Sequence, residues 1–249
     1  MRLTVVGGCG AWPAAGQACS GYVVEHDGFR LLIDPGYAVT PLLDPSSLDA
    51  VFISHGHPDH CADLNPLLRG RVLGSSRSPG SPPPGSPPLP VFSLAGAIDP
   101  VLALDGAWVS DAARPHAVEP GARFEIGPFV ATTRLLPHHV PNLGIRLSAG
   151  GVAVAYTGDT GPSPEIASLA ETADLLLAEA TYPERVPDPD APYLSTAEQA
   201  GRDAVTAGVG HLVLTHLWPG IPRPSARDAA AASYSGPIDV AEPLLTFDL

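Results

Sequence analysis

Four side chains that commonly bind metal ions lie within six residues, directly after the apolar segment 50–53. They are His55, His57, Asp59 and His60. Imidazole and carboxylate groups suit zinc, iron and manganese. His55 and His57 alternate by two, so both can point the same way as a strand ends. Asp59 and His60 follow on a first helical turn and can face a second point. The spacing therefore predicts a metal site that can hold two ions.

Short apolar runs and turn signals place these donors in a β-rich first third, and Asp27-Gly28 predicts a hairpin. The chain then runs as a helix, a second β-meander and a β-α-β segment, which predicts two sheets packed face to face with helices outside. The predicted strands are 3–6, 22–25, 29–33, 50–53, 91–93, 123–126, 129–136, 144–148, 152–156, 174–178, 211–215 and 244–247. The predicted helices are 63–68, opened by Pro58, and 100–104, 164–170, 196–207 and 225–233.

Charge and composition narrow the function. The 249 residues include 26 acidic and 13 basic side chains, all of the latter arginine, for a net charge of -13. Such a chain repels polyphosphate at long range, so we expect no extended nucleic-acid surface. Three cysteines, an odd and sparse set, fit a reducing cytoplasm. No apolar run reaches the ~18 residues of a membrane span, and the first residues do not resemble a signal peptide. We expect a cytoplasmic protein without a membrane segment.

Segment 74–90 differs from the rest because it is rich in proline, glycine and serine and has no apolar periodicity. Its composition predicts a surface loop with polyproline character. A docking segment for a partner is the alternative. Because the motifs on both sides point to one site, we predict a single domain over 1–249 that contains this loop.

The segment 54–60, Ser-His-Gly-His-Pro-Asp-His, resembles the HxHxDH signature of the metallo-β-lactamase superfamily. Further segments are similar, in the expected order, to the ribonuclease Z-like branch of that superfamily, as found in short bacterial members: 19–21, 32–36, 138–144, 156–160 and 214–217. The resemblance spans nearly the whole chain. It implies the α+β metallo-β-lactamase fold, a four-layer αββα sandwich in a single domain.

The resemblance also implies two divalent metal ions on seven ligands, with zinc expected and manganese or iron as alternatives. The ligands would be His55, His57 and His138 for the first ion, Asp59, His60 and His216 for the second, and Asp159 as a bridge between them. The H-x-V-P spacing selects His138 over its neighbour His139, which we expect behind the ligands or at the rim.

Other residues are expected around the ligands. Asp34 would orient a ligand histidine from behind, or it is simply a turn residue before Pro35. Glu179 lies in a segment similar to the H-E-A-T motif of the branch, with alanine in place of the histidine, and would support the site or cap a strand end. Loop positions suggest three residues of the substrate pocket: Trp12, Asn142 and Trp218.

Two metal ions roughly 3.5–4 Å apart can trap a bridging water and convert it to a nucleophilic hydroxide. Asp59 and Asp159 would be the catalytic carboxylates, with Asp59 carrying a proton. The predicted function is therefore that of a dinuclear metal-dependent hydrolase acting on a small molecule, and the resemblance implies phosphodiesters first. Processing of tRNA is not expected, because the ribonuclease Z-like branch uses a glutamate–histidine pair for proton transfer and this chain lacks the histidine of that pair.

Two alternatives stay open for the reaction. One is a thioesterase or lactonase type of carboxylic ester hydrolase, and the other is an iron-dependent redox member of the same fold. Relatives in the superfamily are often homodimers, so a homodimer is an open alternative to a monomer.

Overall fold

Two mixed β-sheets form the centre of the molecule. The computed structural model describes residues 1–74 and 87–249, and within them each sheet has seven strands. The first sheet has the order β14 (Thr246–Asp248), β1 (Arg2–Gly7), β2 (Gly21–His26), β3 (Phe29–Ile33), β4 (Ala50–Phe52), β5 (Leu89–Ser93) and β6 (Ala113–Ala117). The second has the order β13 (Ile238–Val240), β12 (Leu212–Thr215), β11 (Leu175–Glu179), β10 (Val152–Tyr156), β9 (Asn142–Ala149), β8 (Phe129–Leu136) and β7 (Arg123–Ile126).

Helices cover the outer faces of both sheets. They are α1 (Pro58–Cys61), α2 (Leu64–Gly74), α3 (Asp99–Leu102), α4 (Ala107–Ser110), α5 (Pro164–Ala170), α6 (Ala197–Ala207) and α7 (Arg223–Ala231), with two short 3₁₀ helices at Thr40–Leu42 and Pro45–Ser47. In the described part of the chain, no helix combines the length and the apolar character needed to cross a membrane.

Three apolar clusters fill the spaces between the layers. The central cluster lies between the sheets and includes Tyr22, Phe52, Phe129 and Tyr156. A second cluster joins the outer face of the second sheet to α5, α6 and α7, and a third joins the first sheet to α2, α3 and α4. Because each sheet is buried on both faces, its strands are apolar on both sides. The result is a four-layer αββα sandwich, and this confirms the predicted fold class.

The direction of the strands explains where a site can form. Strands β3 to β6 run parallel in the first sheet, and β10 to β13 run parallel in the second. The carboxyl ends of parallel strands meet at one edge of a sheet, so residues that follow them come together although they are far apart in sequence. Every predicted ligand follows the end of a strand: β4, β8, β10 or β12.

Most predicted elements are present, and five of them (29–33, 123–126, 129–136, 152–156 and 164–170) have the predicted bounds. Two strands and one α-helix were missed, β6, β13 and α4, as were the two short 3₁₀ helices. Strand β6 has one buried residue out of five and contains Pro115, which an edge strand tolerates, and β13 has only three residues. The predicted loop 74–90 is too long at both ends, because Gly74 closes α2 and Leu89 begins β5. Its residues 75–86 lie outside the described part.

Candidate metal centre

The loop after β4 and the short helix α1 position the first four predicted ligands. His55 and His57 lie in the loop, and Pro58 begins α1 immediately afterwards. Proline suits the first turn of a helix because its φ angle is preset and no N–H is lost there. The single turn of α1 therefore places Asp59 and His60 beside the loop, where both are buried.

One group of donors, which we call the first donor cluster, consists of His55, His57, His138 and Asp159. Nδ1 of His57 lies 3.2 Å from Nε2 of His55 and 3.1 Å from Nε2 of His138. Oδ2 of Asp159 is 3.8 Å from Nε2 of His55 and 3.7 Å from Nε2 of His138. Three ring nitrogens and one carboxylate oxygen thus converge on one point.

The second donor cluster consists of Asp59, His60, Asp159 and His216. Nε2 of His216 is 3.1 Å from Oδ2 of Asp59 and 3.1 Å from Oδ2 of Asp159. Nε2 of His60 is 3.5 Å from Oδ2 of Asp59 and 3.2 Å from Oδ1 of Asp159. Asp159 therefore belongs to both clusters, as a bridging ligand must.

Two buried atoms show that the residues fit divalent ions. Nε2 of His60 and Oδ1 of Asp159 are buried and, although they lie 3.2 Å apart, neither makes a hydrogen bond in the described part of the chain. Buried polar atoms are normally satisfied, so an atom left without a partner needs a physical reason. Both atoms face the second donor cluster, where a bound cation would satisfy them. In each cluster the donor atoms lie within 4.8 Å of one another, and their chemistry suits zinc, manganese or iron.

Known proteins share this architecture. The model of the beta-lactamase superfamily domain matches residues 29–217. The chain belongs to the beta-lactamase superfamily. The probable metallo-hydrolase YhfI of Bacillus subtilis is 31% identical over 246 residues, which cover 97% of either chain. The crystal structure of YhfI superimposes with a TM-score of 0.88 at 30% identity and covers 99% of this chain and 98% of YhfI.

Two further relatives are more distant. A ribonuclease Z of Kineococcus radiotolerans is 28% identical over 290 residues, which cover 94% of this chain and 90% of that protein. A diphosphatase of the PhnP family superimposes with a TM-score of 0.73 at 19% identity and covers 99% of this chain and 97% of that one, which shows the fold alone. The superfamily assignment confirms the resemblance inferred from the motifs.

The second donor cluster of this superfamily member carries opposite charges in close contact. Burial alone would raise the pKa of Asp59, but the hydrogen bond from His216 and the charge of the nearby His60 hold it well below its usual range. Burial likewise opposes the charged form of His60, yet Asp159 and Asp34 raise its pKa well above the ordinary value. Metal ions bind neutral imidazoles, so ions entering this cluster displace protons.

The first donor cluster behaves differently, because its imidazoles are neutral at physiological pH. Burial lowers the pKa of His55, His57 and His138, with neighbouring histidines adding to the effect in each case and Asp159 opposing it. A neutral imidazole offers its lone pair directly. The first cluster can therefore accept an ion without releasing protons from these rings.

Asp34 supports His60, as one of the two sequence interpretations proposed. Its Oδ2 lies 2.8 Å from Nδ1 of His60 and accepts hydrogen bonds from the hydroxyls of Tyr156 and Ser54, and its Oδ1 accepts from the Ser54 N–H. Asp34 is fully buried, and its φ of 53° is rare for a residue with a side chain. This network fixes the ring so that Nε2 faces the cluster.

Glu179 supports His216 indirectly. It accepts a hydrogen bond of 2.6 Å from the Thr181 hydroxyl, and that oxygen lies 3.0 Å from Nδ1 of His216. The other carboxylate oxygen of Glu179 accepts from the Thr160 N–H. Burial and the nearby charge of Asp159 raise the pKa of Glu179 to about 8. Glu179 thus lies behind the ligands, where the sequence interpretation put it.

Several groups that support the donors come from distant segments of the chain, and the sequence patterns did not predict them. The backbone carbonyl of Tyr193 accepts from Nδ1 of His138 at 2.9 Å, and the Ala11 N–H donates to Oδ2 of Asp59 at 2.8 Å. Thr181 and Tyr156 were missed as well. A backbone carbonyl or N–H has no sequence signature, and only the fold could reveal these contacts. Ser54, by contrast, lies inside the recognised motif, and its position next to a ligand is a usable signal.

His139 lies at the rim, as expected. Its side chain is 41% exposed, and its ring packs against Tyr193 at 4.5 Å between centroids. Trp12 is 48% exposed and contacts Trp218, which is partly exposed. Asn142 does not form an open pocket wall: it is fully buried as the first residue of β9, and its Nδ2 donates to the backbone carbonyl of Thr157. That pocket prediction is wrong.

Proposed function

We propose that this metallo-hydrolase holds two divalent ions, zinc first among them, and hydrolyses a small phosphodiester. The observation that carries the proposal is the pair of donor clusters that share Asp159. When bound, two such ions lower the pKa of a water and polarise a phosphoryl oxygen. The name of one relative, a ribonuclease Z, supports phosphorus–oxygen chemistry.

We assign the proton-handling role to Asp59. Its Oδ2 is held by the Ala11 N–H and by His216, and its side chain is 10% exposed, so solvent reaches part of it. Its low pKa keeps it ionised at neutral pH, ready to accept a hydrogen bond from the attacking water. Asp159 is buried and common to both clusters, so its role is to hold the two sites together.

Two observations argue against tRNA as the substrate. Glu179 is buried, and its two carboxylate oxygens already accept from Thr181 and Thr160, so it is not placed to exchange a proton with substrate. The net charge of -13 also disfavours a long polyanion. A small phosphodiester avoids this repulsion because it carries one charge. The same charge argument favours uncharged carboxylic esters as the second candidate.

The deciding experiment compares bis(p-nitrophenyl) phosphate with p-nitrophenyl butyrate as substrates of the zinc- and manganese-loaded protein. Both release the same chromophore, so the ratio of their kcat/KM values reports the preferred bond. We expect metal-dependent turnover of the phosphodiester. Turnover of the butyrate alone would contradict the proposal and support the carboxylic ester hydrolase. Metal analysis of the purified protein separates zinc from iron.

Two adjacent histidines provide a matched pair of variants. His138→Ala removes a donor of the first cluster, whereas His139→Ala removes a partly exposed ring outside it. We expect His138→Ala to lose close to one metal ion per chain and most of its turnover, and His139→Ala to keep both ions. The reverse result would show that the ligand assignment is displaced by one residue.

A further inference from the structure

Three loops that hydrogen-bond to the second donor cluster or contain one of its residues each carry an aromatic side chain. The first loop follows β1. In it the Ala11 N–H donates to Oδ2 of Asp59 at 2.8 Å, and the next residue is Trp12. Ala11 has a φ of 61°, an uncommon conformation that turns the chain sharply before the tryptophan. The position of Trp12 is therefore tied to a predicted metal ligand.

The second loop follows β12 and carries His216 and then Trp218. It is joined to the first loop by a hydrogen bond of 3.0 Å from the Gly10 N–H to the Leu217 carbonyl. Gly10 allows this close approach, because a Cβ atom there would lie 2.5 Å from the carbonyl oxygen of His216. Trp12 and Trp218 meet as a result, with ring centroids 5.7 Å apart and planes inclined by 52°.

The third loop follows β11 and adds Tyr182. The preceding residue, Thr181, has its hydroxyl oxygen 3.0 Å from Nδ1 of His216. The ring of Tyr182 lies 5.1 Å from that of Trp218, with the planes inclined by 55°. Trp12, Tyr182 and Trp218 thus form one continuous group, which we call the aromatic wall.

Packing alone does not explain the aromatic wall, because much of it stays in contact with solvent. Trp12 is 48% exposed, and Tyr182 and Trp218 are partly exposed. Another exposed tryptophan, Trp108 at 47%, has a different explanation: the Arg69 guanidinium lies 5.2 Å from its ring centroid. In the described part of the chain, that is the cation–π contact found, and the rings of the wall have no such cover.

We propose that the aromatic wall binds a flat aromatic group of the substrate. The preferred substrate class is then a small phosphodiester that carries a planar ring, such as an aryl group or a nucleobase. Aromatic side chains stack on flat rings with little dependence on the ring's identity. This inference rests on the proposed function, since the donor clusters would hold the phosphodiester while the wall holds its ring.

The charge of the chain limits the size of that substrate. A polynucleotide would bring many phosphates against a net charge of -13. A single phosphodiester with one ring gains from the wall and meets little repulsion. The wall therefore acts as a specificity element for small molecules.

The test uses phenylphosphonate and cyclohexylphosphonate, which share charge and approximate size but differ in the flatness of the ring. Calorimetry on the zinc-loaded protein gives the two Kd values without any turnover. We expect phenylphosphonate to bind about tenfold more tightly, the effect of roughly one stacking contact. Equal binding of the two compounds, or binding of neither, would overturn the proposal.

Single-residue variants then show whether the aromatic wall produces the preference for phenylphosphonate. Trp12→Leu should bring the ratio of the two Kd values close to one, Trp12→Phe should largely preserve it, and Trp108→Leu is the matched control that should leave it unchanged. A ratio that survives Trp12→Leu would overturn the proposal. Failure of the proposed function looks different: selective binding of phenylphosphonate would persist, while no phosphodiester would be hydrolysed.

Discussion

The two donor clusters share Asp159 but differ in how the rest of the protein supports them. All four residues of the second cluster are buried, and each of its other three donors is held by a residue outside the clusters: Ala11 on Asp59, Asp34 on His60 and Thr181 on His216. In the first cluster, Ser54 contacts His55 and the Tyr193 carbonyl accepts from His138, but His57 and His138 are partly exposed. Within the described residues, no side chain outside the clusters hydrogen-bonds to the ring of His57.

This difference has a physical consequence for metal affinity. Neighbours that fix the orientation of a ligand reduce the conformational entropy lost when an ion binds. The second cluster should therefore hold its ion more tightly, and the first should exchange its ion more readily. A ligand with fewer supports can also shift as substrate enters. The second cluster is thus the more rigid half of the centre, and the first cluster is the more adaptable half.

The largest effect is expected from Asp159→Asn, because this residue serves both clusters. An amide is a weaker donor than a carboxylate, and it carries no charge to neutralise the ions. Loss of both ions removes several kcal/mol of transition-state stabilisation, which corresponds to about 10³-fold in kcat or more. Metal content by mass spectrometry should fall from two ions per chain to fewer than one. Asp190→Asn is the control, because Asp190 lies 3.6 Å from the rim residue His139 and belongs to neither cluster. Retention of two ions in Asp159→Asn would contradict the assignment of a shared ligand.

Asp34→Asn is expected to have a smaller effect, which is confined to the second cluster. The side chain of Asp34 accepts from Ser54, Tyr156 and His60, and an amide would turn donor hydrogens toward these donors. The loss of a group that orients a ligand costs about 10–100-fold in metal affinity. Chelator competition with zinc should show this loss at one site only.

Tyr156→Phe is a less disruptive change in the same network, because it removes one hydrogen-bond donor to Asp34 and leaves the carboxylate in place. It should weaken the same site less than Asp34→Asn does. Equal weakening of both sites by Asp34→Asn would contradict the distinction between the clusters. Circular dichroism of both variants checks that the fold is retained.

The residues that the structure brings together in the two donor clusters could be selected from the sequence because their signals are local. His55, His57, Asp59 and His60 stand in one short motif after an apolar strand. Supporting contacts are not local: Thr181 and His216 are separated by 35 positions, and His138 contacts the carbonyl of a residue 55 positions away. Such contacts depend on the order of the strands in the second sheet and on the course of the segments that follow them, which hydrophobic patterns do not specify.

The error at Asn142 has a similar origin. The predicted strand 144–148 placed Asn142 in a loop, but β9 begins at Asn142, which pairs with Leu136 of β8. Strand ends depend on pairing with a neighbour, so apolar patterns locate them poorly. A difference of two residues moved this side chain from a supposed pocket wall into the interior.

The smallest effect concerns Glu179, which lies behind the second cluster. In protein stripped of metal, its folded-state pKa of about 8 exceeds its ordinary value of 4.5, because burial and the charge of Asp159 disfavour the ionised form. Between these two values the folded state binds more protons than the unfolded state. The free energy of unfolding therefore decreases as pH rises from about 4.5 to 8.

Glu179→Gln removes this titration while keeping the shape of the side chain. The amide oxygen can accept from the Thr160 N–H, and the amide nitrogen can donate to the Thr181 hydroxyl, as the protonated acid would. Urea unfolding of the chelator-treated parent and variant at pH 5 and pH 8 measures the free energy of unfolding of each. His60 and His216 titrate in both proteins, so their contribution cancels when the variant is compared with the parent. Relative to the parent, the free energy of unfolding of the variant should gain about 3 kcal/mol between pH 5 and pH 8. If the pH dependence of unfolding is the same in variant and parent, Glu179 is ionised in the fold, and a second carboxylate besides Asp34 then lies behind the histidines of the second cluster.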